Sequence, residues 1–462
     1  MFRLMFRCPP FRTPTPFFLL LLVVTLCSTL SNSYTPKYMV IWKGEGDKSY
    51  VPLELRHQEL TSALSLLTPD TNYDTPKTNI SFTDVLPATD LLQYVNFPSS
   101  YCPTPAQFSS AMGRCATPRS GYFLLGSGDS FSSAAGDASK SLPSPFTSRE
   151  LETASWSLRA RDYRGRKFGN HLRSPLRSGV ERASIIETAD FTKALRGPVK
   201  LNDPELALFS FILPPNNATE TSNSSYLLLR QFCFGFDGLR KYDPNTRICV
   251  TSTPLEPIAA FSMANVGMVT NQSAVLDPYC GSATSLLASA ALAPACRTVG
   301  IERDGPWLVN FTEVKSDFTS RNLPPPQLIR GDCRESSVRQ LARSESAPSG
   351  FDVILADPPY GKRERKDTES EPLFDIMSMI IADKLAGTPL LKPSGRLVVF
   401  VPVPTSETLE SGLTGLEILE KLAVTSEIMD QADLKLVEPI SAQRLNKSIS
   451  RLLLVFTSNT KK

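Results

Sequence analysis

The chain has 462 residues, 41% of them hydrophobic and 21% charged, and a formal net charge of +3. That leaves room for two or three domains with a sizeable core, and the mild positive balance permits a nucleic-acid partner without demanding one. With only two histidines, His57 and His171, a His-rich metal centre is excluded and a Ser-His-Asp triad has poor material. Nine cysteines (Cys8, Cys27, Cys102, Cys115, Cys233, Cys249, Cys280, Cys296, Cys333) form no CxxC pair, so neither a zinc site nor a disulfide framework is indicated. They read as buried, reduced thiols. Catalysis would have to rest on carboxylates, backbone groups and a bound cofactor.

Residues 1–36 stand apart: Arg3, Arg7 and Arg12 precede the apolar run Phe17 to Leu26, small residues follow, and no acidic residue occurs before Glu45. The run is too short for a membrane span of roughly 20 residues and reads as a targeting segment, with a disordered extension as the alternative. Tyr38–Trp42 predicts a strand, and Leu60, Ala63, Leu64 and Leu67 mark one face of a helix over 54–67. Tyr122 to Leu125 predicts a short strand. The stretch at about 126–150, rich in Ser, Gly and Ala, reads as a flexible linker. Between 157 and 182 stand eight basic residues: Arg159, Arg161, Arg164, Arg166, Lys167, Arg173, Arg177 and Arg182, with Tyr163 and Phe168 interleaved. This is either an RNA-contacting surface or a solvated loop. Pro214 to Ser225 reads as an inserted loop.

From Thr253-Pro-Leu-Glu256, which has the form of a capping box, a helix runs to about Val269. Strands are expected near 273–277, 298–302, 327–331, 351–357 and 396–402, the earlier ones alternating with helices. Two more, near 434–440 and 451–457, are joined without a helix. This pattern gives a mostly parallel, doubly wound sheet with one antiparallel strand. Asp277, Glu302 and Asp332 end three successive strands, and Asp357-Pro358-Pro359-Tyr360 ends the fourth. Open α/β sheets place their ligands at such carboxyl ends. Asp277-Pro278-Tyr279-Cys280-Gly281 begins a small-residue turn into a helix, a cradle for a ligand. Glu302 is placed to bond ribose hydroxyls, and Asp332 to receive an adenine amine. Singly, each of these is more often a solvated strand end or a turn; together they form one ordered set. The Asp357 corner, with its rigid carbonyls and aromatic ring, suits a flat heterocycle bearing an exocyclic amine.

The region resembles class I S-adenosylmethionine-dependent methyltransferases that act on amines and carry an Asp/Asn-Pro-Pro-Tyr/Phe motif. More narrowly, it resembles the THUMP-containing tRNA guanosine-N2 methyltransferases that modify guanosine 10. The matching residues are Leu195 to Pro204, Lys241 to Asp243, Ser252 to Asn265, Leu276 to Gly281, Ala356 to Gly361, Leu434 to Val437 and Arg451 to Leu453. The resemblance implies an α/β fold: a Rossmann-like, doubly wound seven-strand sheet over 201–462, preceded by a smaller α+β THUMP-like RNA-binding region over 37–200. It implies S-adenosylmethionine as cofactor, held by Asp277, Pro278, Tyr279, Gly281, Glu302 and Asp332. The target base would be held by Asp357, Pro358, Pro359 and Tyr360. It also implies tRNA as partner, a small zinc-binding activator subunit, and no stable membrane insertion of the mature protein. Alternatives are an rRNA guanine-N2 or DNA adenine-N6 methyltransferase, or a non-catalytic RNA-binding protein that kept the fold. The family has a glycine where this chain has Ala283, whose methyl would crowd the cofactor or alter the turn. A tRNA substrate implies the cytoplasm, or a plastid reached through the amino-terminal segment.

Overall fold

The computed structural model describes residues 36–43, 52–67, 80–86, 89–142, 144–163, 190–214, 225–251, 254–306, 308–344, 346–359, 372–405 and 415–459. The targeting segment falls outside them, apart from Pro36, as do Arg164 to Arg182 of the basic stretch and nearly all of the inserted loop.

The first unit is built on β1 (Tyr38–Trp42), whose five residues are all buried, as an unbroken apolar run requires at a sheet centre. In chain order follow α1 (Leu53–Ser65), β2 (Ser81–Leu86), β3 (Thr89–Asn96), α2 (Pro105–Arg114) and β4 (Pro118–Gly128). Then come α3 (Phe131–Ser141), α4 (Ser148–Thr153), β5 (Trp156–Asp162), α5 (Asp190–Lys193), β6 (Leu206–Leu213) and β7 (Ser225–Phe234). The seven strands lie in the order β2-β3-β1-β4-β7-β6-β5, antiparallel throughout except for the parallel β5–β6 pair.

Two sequence expectations are corrected here. The stretch at 126–150 is not a flexible linker: β4 continues to Gly128, and Ser130 caps α3 by accepting from the Ser133 amide at 3.1 Å. Phe131, Ala134, Ala135 and Ala138 form the buried face of α3, and the helix lies so close to β4 that a side chain on Gly126 would collide with the Ala134 carbonyl. A helix that docks on alanines carries little hydrophobic signal, so its composition passes for a linker. The boundary at 200/201 also cuts through the first sheet, because β6 and β7 belong to it; the sheet closes only at Phe234. The pairing of β7 with β4 is long-range and leaves no local trace in the sequence.

The second unit contains α6 (Pro257–Val266), β8 (Ala274–Asp277), α7 (Thr284–Leu292), β9 (Arg297–Glu302), α8 (Phe311–Thr319), β10 (Gln327–Arg330), α9 (Ser336–Ser344) and β11 (Phe351–Ala356). It continues with α10 (Pro372–Leu385), β12 (Leu391–Pro404), α11 (Gly415–Lys421), α12 (Ser426–Ala432), β13 (Leu434–Leu436), β14 (Ser441–Arg444) and β15 (Ile449–Ser458). The sheet order is β10-β9-β8-β11-β12-β15-β13, with only β15 reversed and the extra short strand β14 paired to it. This is a Rossmann-like, doubly wound sheet with one reversed strand. Alternate residues of its strands feed two cores: Val275, Val353, Leu355 and Val398 on the α6–α7 side, and Leu276, Ile354, Ala356 and Val399 on the α10 side. Each such fully buried side chain contributes about 1.5–3 kcal/mol.

The capping box expected at Thr253–Glu256 is not what opens α6. The helix starts on Pro257, Glu256 makes no side-chain cap, and the Glu256 carboxylate instead pairs with Arg451 of β15 at 2.6 Å. Every residue of α6 from Ile258 to Val266 is buried, because the first unit covers its outer face: Leu55 and Ala116 share the core that α6 builds. At this junction the fully buried Glu59 accepts from the amides of Ala116 (2.8 Å) and Thr117 (2.9 Å), the Thr117 hydroxyl (2.5 Å) and Asn265 Nδ2 (2.8 Å). Asn265 Oδ1 in turn accepts from Arg114 Nε at 2.7 Å, and Arg114 Nη2 donates to the Val269 carbonyl at 2.8 Å. Among the described residues no helix is long and apolar enough to cross a membrane.

Candidate active site

Strand order reverses between β8 and β11, so the chain leaves their carboxyl ends in opposite directions and opens a crevice there. Asp277 ends β8 and Asp357 follows β11, close enough that the Asp357 charge adds to what disfavours ionisation of Asp277. Asp277 is buried. Its Oδ1 accepts from the Tyr279 amide at 3.0 Å and its Oδ2 from the Ser285 hydroxyl in the first turn of α7. Burial pushes its carboxyl from an ordinary 3.8 up to about 7; the Ser285 and Tyr279 bonds oppose the rise, and the charges of Asp357 and Glu302 add to it. The sequence placed Asp277 at the start of the ligand cradle. The structure gives it a second task, as the brace between strand end and helix start.

The loop between them is tied to the neighbouring strand. The Cys280 amide donates to the Ile301 carbonyl at 3.0 Å, and the Gly281 amide to Glu302 Oε2 at 2.8 Å. Gly281 sits at φ +48°, a conformation that suits glycine. Glu302 Oε1 accepts from the Asp304 amide at 2.7 Å. Each Glu302 oxygen therefore keeps a further acceptor position, the requirement for bonding two ribose hydroxyls. Burial pushes the Glu302 carboxyl upward against these two amide bonds. Pro278 is buried. Tyr279 packs, half-buried, against the core cluster that holds Cys333 in the turn after β10; burial raises both groups, Cys333 to about 11.

Asp332 departs from expectation. Both its oxygens are occupied by Arg334, with Nε at 3.1 Å from each and Nη2 at 2.6 Å from Oδ2, and the Arg334 amide adds a bond of 2.9 Å to Oδ1. The Arg334 bonds hold this carboxyl below its usual range. An adenine amine could reach Asp332 only by displacing a partly exposed ion pair, which costs at most about 1 kcal/mol after solvent screening. Replacing Arg334 with alanine is therefore expected to tighten cofactor binding about threefold, as read by titration calorimetry.

Asp357 is half-buried, Pro358 buried and Pro359 half-buried; Tyr360 lies outside the described residues. The structure thus brings Asp277, Gly281, Glu302 and Asp357 to one crevice, with Asp332 at its far side under Arg334. Sequence reading missed Ser285, although a serine in the first turn after a strand-ending Asp is a usable signal. It also missed Arg334, whose partner the sequence does not indicate. Among the described residues no group of His, Cys, Asp and Glu is placed to hold a metal ion. The donor set, two carboxylates with spare acceptor positions beside a small-residue loop, fits a nucleoside bearing a cationic tail.

Comparisons with known proteins bear on this crevice. No family model matches the chain. Over 278 residues it is 28% identical to the tRNA (guanine(10)-N(2))-methyltransferase TRMT11 of Bos taurus, covering 50% of this chain and 56% of that protein. The proteins of the same name from Gallus gallus and Rattus norvegicus are 28% and 27% identical, over 46% and 50% of this chain and 53% and 55% of theirs. The chain therefore spans about half the length of the curated relatives it matches. Among solved structures, TrmN from Thermus thermophilus is 17% identical with a TM-score of 0.42, over 92% of this chain and 99% of that one. TYW2 of M. jannaschii in complex with AdoMet is 12% identical with a TM-score of 0.29, over 44% of this chain and 74% of that one. The fold assignment rests on the strand order itself.

Proposed function

We propose that this protein is an S-adenosylmethionine-dependent methyltransferase acting on the exocyclic N2 amine of guanosine in tRNA, at position 10. The observation that carries the reading is the pairing of Asp277 and Asp357 at the switch point of the sheet, one beside the cofactor loop and one heading the Asp-Pro-Pro-Tyr corner. The names of the curated relatives support the substrate class, and the first unit, THUMP-like in its α+β make-up, is the proposed tRNA-binding part.

When bound, S-adenosylmethionine supplies a methyl group already activated on sulfonium. Asp277, Gly281 and Glu302 would hold it. The N2 lone pair of guanine is delocalised into the ring and is a poor nucleophile. The Asp357 carboxylate and Pro358 carbonyl would accept its N–H groups, favour a pyramidal nitrogen and take up the proton at Asp357. Tyr360 would stack on the base and exclude water. Positioning supplies much of the rate. The guanine must first leave its helical stack. The proposal keeps the small zinc-binding partner subunit and a cytoplasmic site of action. The test is direct: saturating S-adenosylmethionine should raise the melting temperature, and incubation with unmodified tRNA should yield N2-methylguanosine at nucleotide 10. A protein that does neither is not this enzyme.

A pH dependence follows from Asp277. In the ligand-free protein its raised pKa means that the bound proton stabilises the fold fully below about pH 4, a contribution lost as pH rises through about 7. A cationic ligand favours the ionised form, so binding below pH 7 releases a proton. Affinity should rise about tenfold between pH 6 and pH 8. Asp277→Asn should flatten that slope. Calorimetry in buffers of different ionisation enthalpy measures both.

A further inference from the structure

Ala283 holds an unusual place in the backbone. It precedes α7 with φ 60° and ψ 38°, in the left-handed region, whereas residues in front of a helix ordinarily take extended angles. The other non-glycine residues at positive φ next to described helices are Met268, Asn322, Ala423 and Asp433. All of them follow a helix, where the left-handed turn is a usual stop. Alanine has no side-chain bond to offset the crowding of its Cβ in this region. Something outside the residue must hold it there.

Ala283 is fully buried and belongs to the core shared by α6 and α7. Its amide donates to the Cys280 carbonyl at 2.6 Å, and its carbonyl accepts from the Leu287 amide at 2.9 Å.

The residues on either side of Ala283 are gripped by one guanidinium. Arg247 donates through Nη2 to the Ser282 carbonyl and through Nη1 to the Thr284 hydroxyl at 3.0 Å. Its Nε donates to Asp317 Oδ2 at 2.8 Å, and the two side chains are 1% and 0% exposed. Asp317 is itself fixed. Its Oδ1 accepts from the Ile248 amide at 2.7 Å and Arg321 Nη1 at 3.0 Å, and its Oδ2 from the Cys249 amide at 3.3 Å. Burial would push this carboxyl up, but the Ile248 amide and the Arg247 guanidinium outweigh it and hold it below its usual range. The result is a rigid chain from α8 through Asp317 and Arg247 to both neighbours of the strained residue. A planar fork with fixed donor directions suits this task; a lysine could not span the three acceptors.

We propose that Arg247, locked by Asp317, is the positioning residue that holds Ala283 in the left-handed conformation and so shapes the cofactor loop. It takes over what a glycine at this position would supply through its own conformational freedom. This rests on the reading of that loop as the S-adenosylmethionine site. Arg247 acts through the Ser282–Thr284 backbone and contacts no reacting atom.

The test is a coupling between two substitutions. Arg247→Gln should weaken S-adenosylmethionine binding about tenfold in the otherwise native chain, but at most about twofold when introduced into A283G. Asp317 keeps Arg321 and two backbone amides in both proteins, so no buried charge is orphaned and folding is expected. Equal losses in the two backgrounds would overturn the proposal, because a purely structural role does not depend on the residue at 283. If R247Q does not fold, Thr284→Val removes one side of the grip without touching the ion pair. It should weaken binding about threefold, and again less in A283G; an equal loss overturns the proposal there too. Hydrogen exchange supplies a readout without ligand. The Leu287 amide, which bonds to the Ala283 carbonyl, should exchange at least tenfold faster in R247Q than in the native chain, and A283G should suppress that difference. A native protein that binds no S-adenosylmethionine but shows this exchange coupling would sink the cofactor reading and leave the Arg247 device standing. Binding without the exchange coupling would do the reverse.

Discussion

Replacing Asp357 with alanine is expected to leave S-adenosylmethionine binding within about threefold of the native protein and to slow methyl transfer by about 10²–10⁴-fold. The carboxylate stands just past the end of β11, beyond the register in which Val353 and Ile354 pair with Val275 and Leu276 of β8. That position is next to the cofactor loop but not part of it. The loop is closed by other bonds: Asp277 to Tyr279 and Ser285, and Glu302 to Gly281. None of these is broken in the variant. Cofactor binding should even gain slightly, because Asp357 is one of the charges that push the Asp277 carboxyl up. Under the proposed function, what is lost is the acceptor that would orient the guanine amine and take its proton. Calorimetry and single-turnover methylation of tRNA separate the two effects. Lost binding with folding intact would move Asp357 into the cofactor site.

Removing the Glu59 carboxylate is expected to cost about 3–5 kcal/mol of stability. In Glu59→Ala the amides of Ala116 and Thr117 and one N–H of Asn265 are left buried without an acceptor, since Glu59 is fully buried and serves all three. Glu59→Gln should recover only part of the loss, because its amide nitrogen would face donors rather than acceptors. The damage should spread along the junction, since Asn265 also fixes Arg114. Urea unfolding followed by tryptophan fluorescence measures the change. A loss under about 1 kcal/mol would mean that water replaces the carboxylate at this site.

The second sheet was legible because its signals are local. β8 and β11 are short apolar runs that stop at or just before an aspartate followed by proline. The strand expected at 351–357 was therefore placed to within one residue of Phe351–Ala356. Of the first sheet only β1 and part of β4 were legible, because β4 finds β7 across about a hundred residues and β5 pairs with β6 across the intervening segment 163–205. The site divides in the same way. Asp277, Glu302 and Asp357 are strand ends and could be read. Arg334 over Asp332 and Arg247 beside Ala283 are contacts made by long cationic side chains whose direction no sequence pattern fixes. Ala283 itself was visible as a departure. Only the packed structure shows that it lies buried in the core shared by α6 and α7.

The helix α6 carries a consequence for how this protein can be cut, spliced or inherited. It is buried on every side, and its outer face is covered by residues that lie about two hundred positions earlier, among them Leu55 and Glu59. A gene fragment or alternative transcript encoding only the second half would place that greasy cylinder on the outside of its product. Such a product would be sticky and short-lived in a cell. The two halves therefore cannot be traded as independent modules: a lineage that discarded the first would have to rebuild the surface of the second.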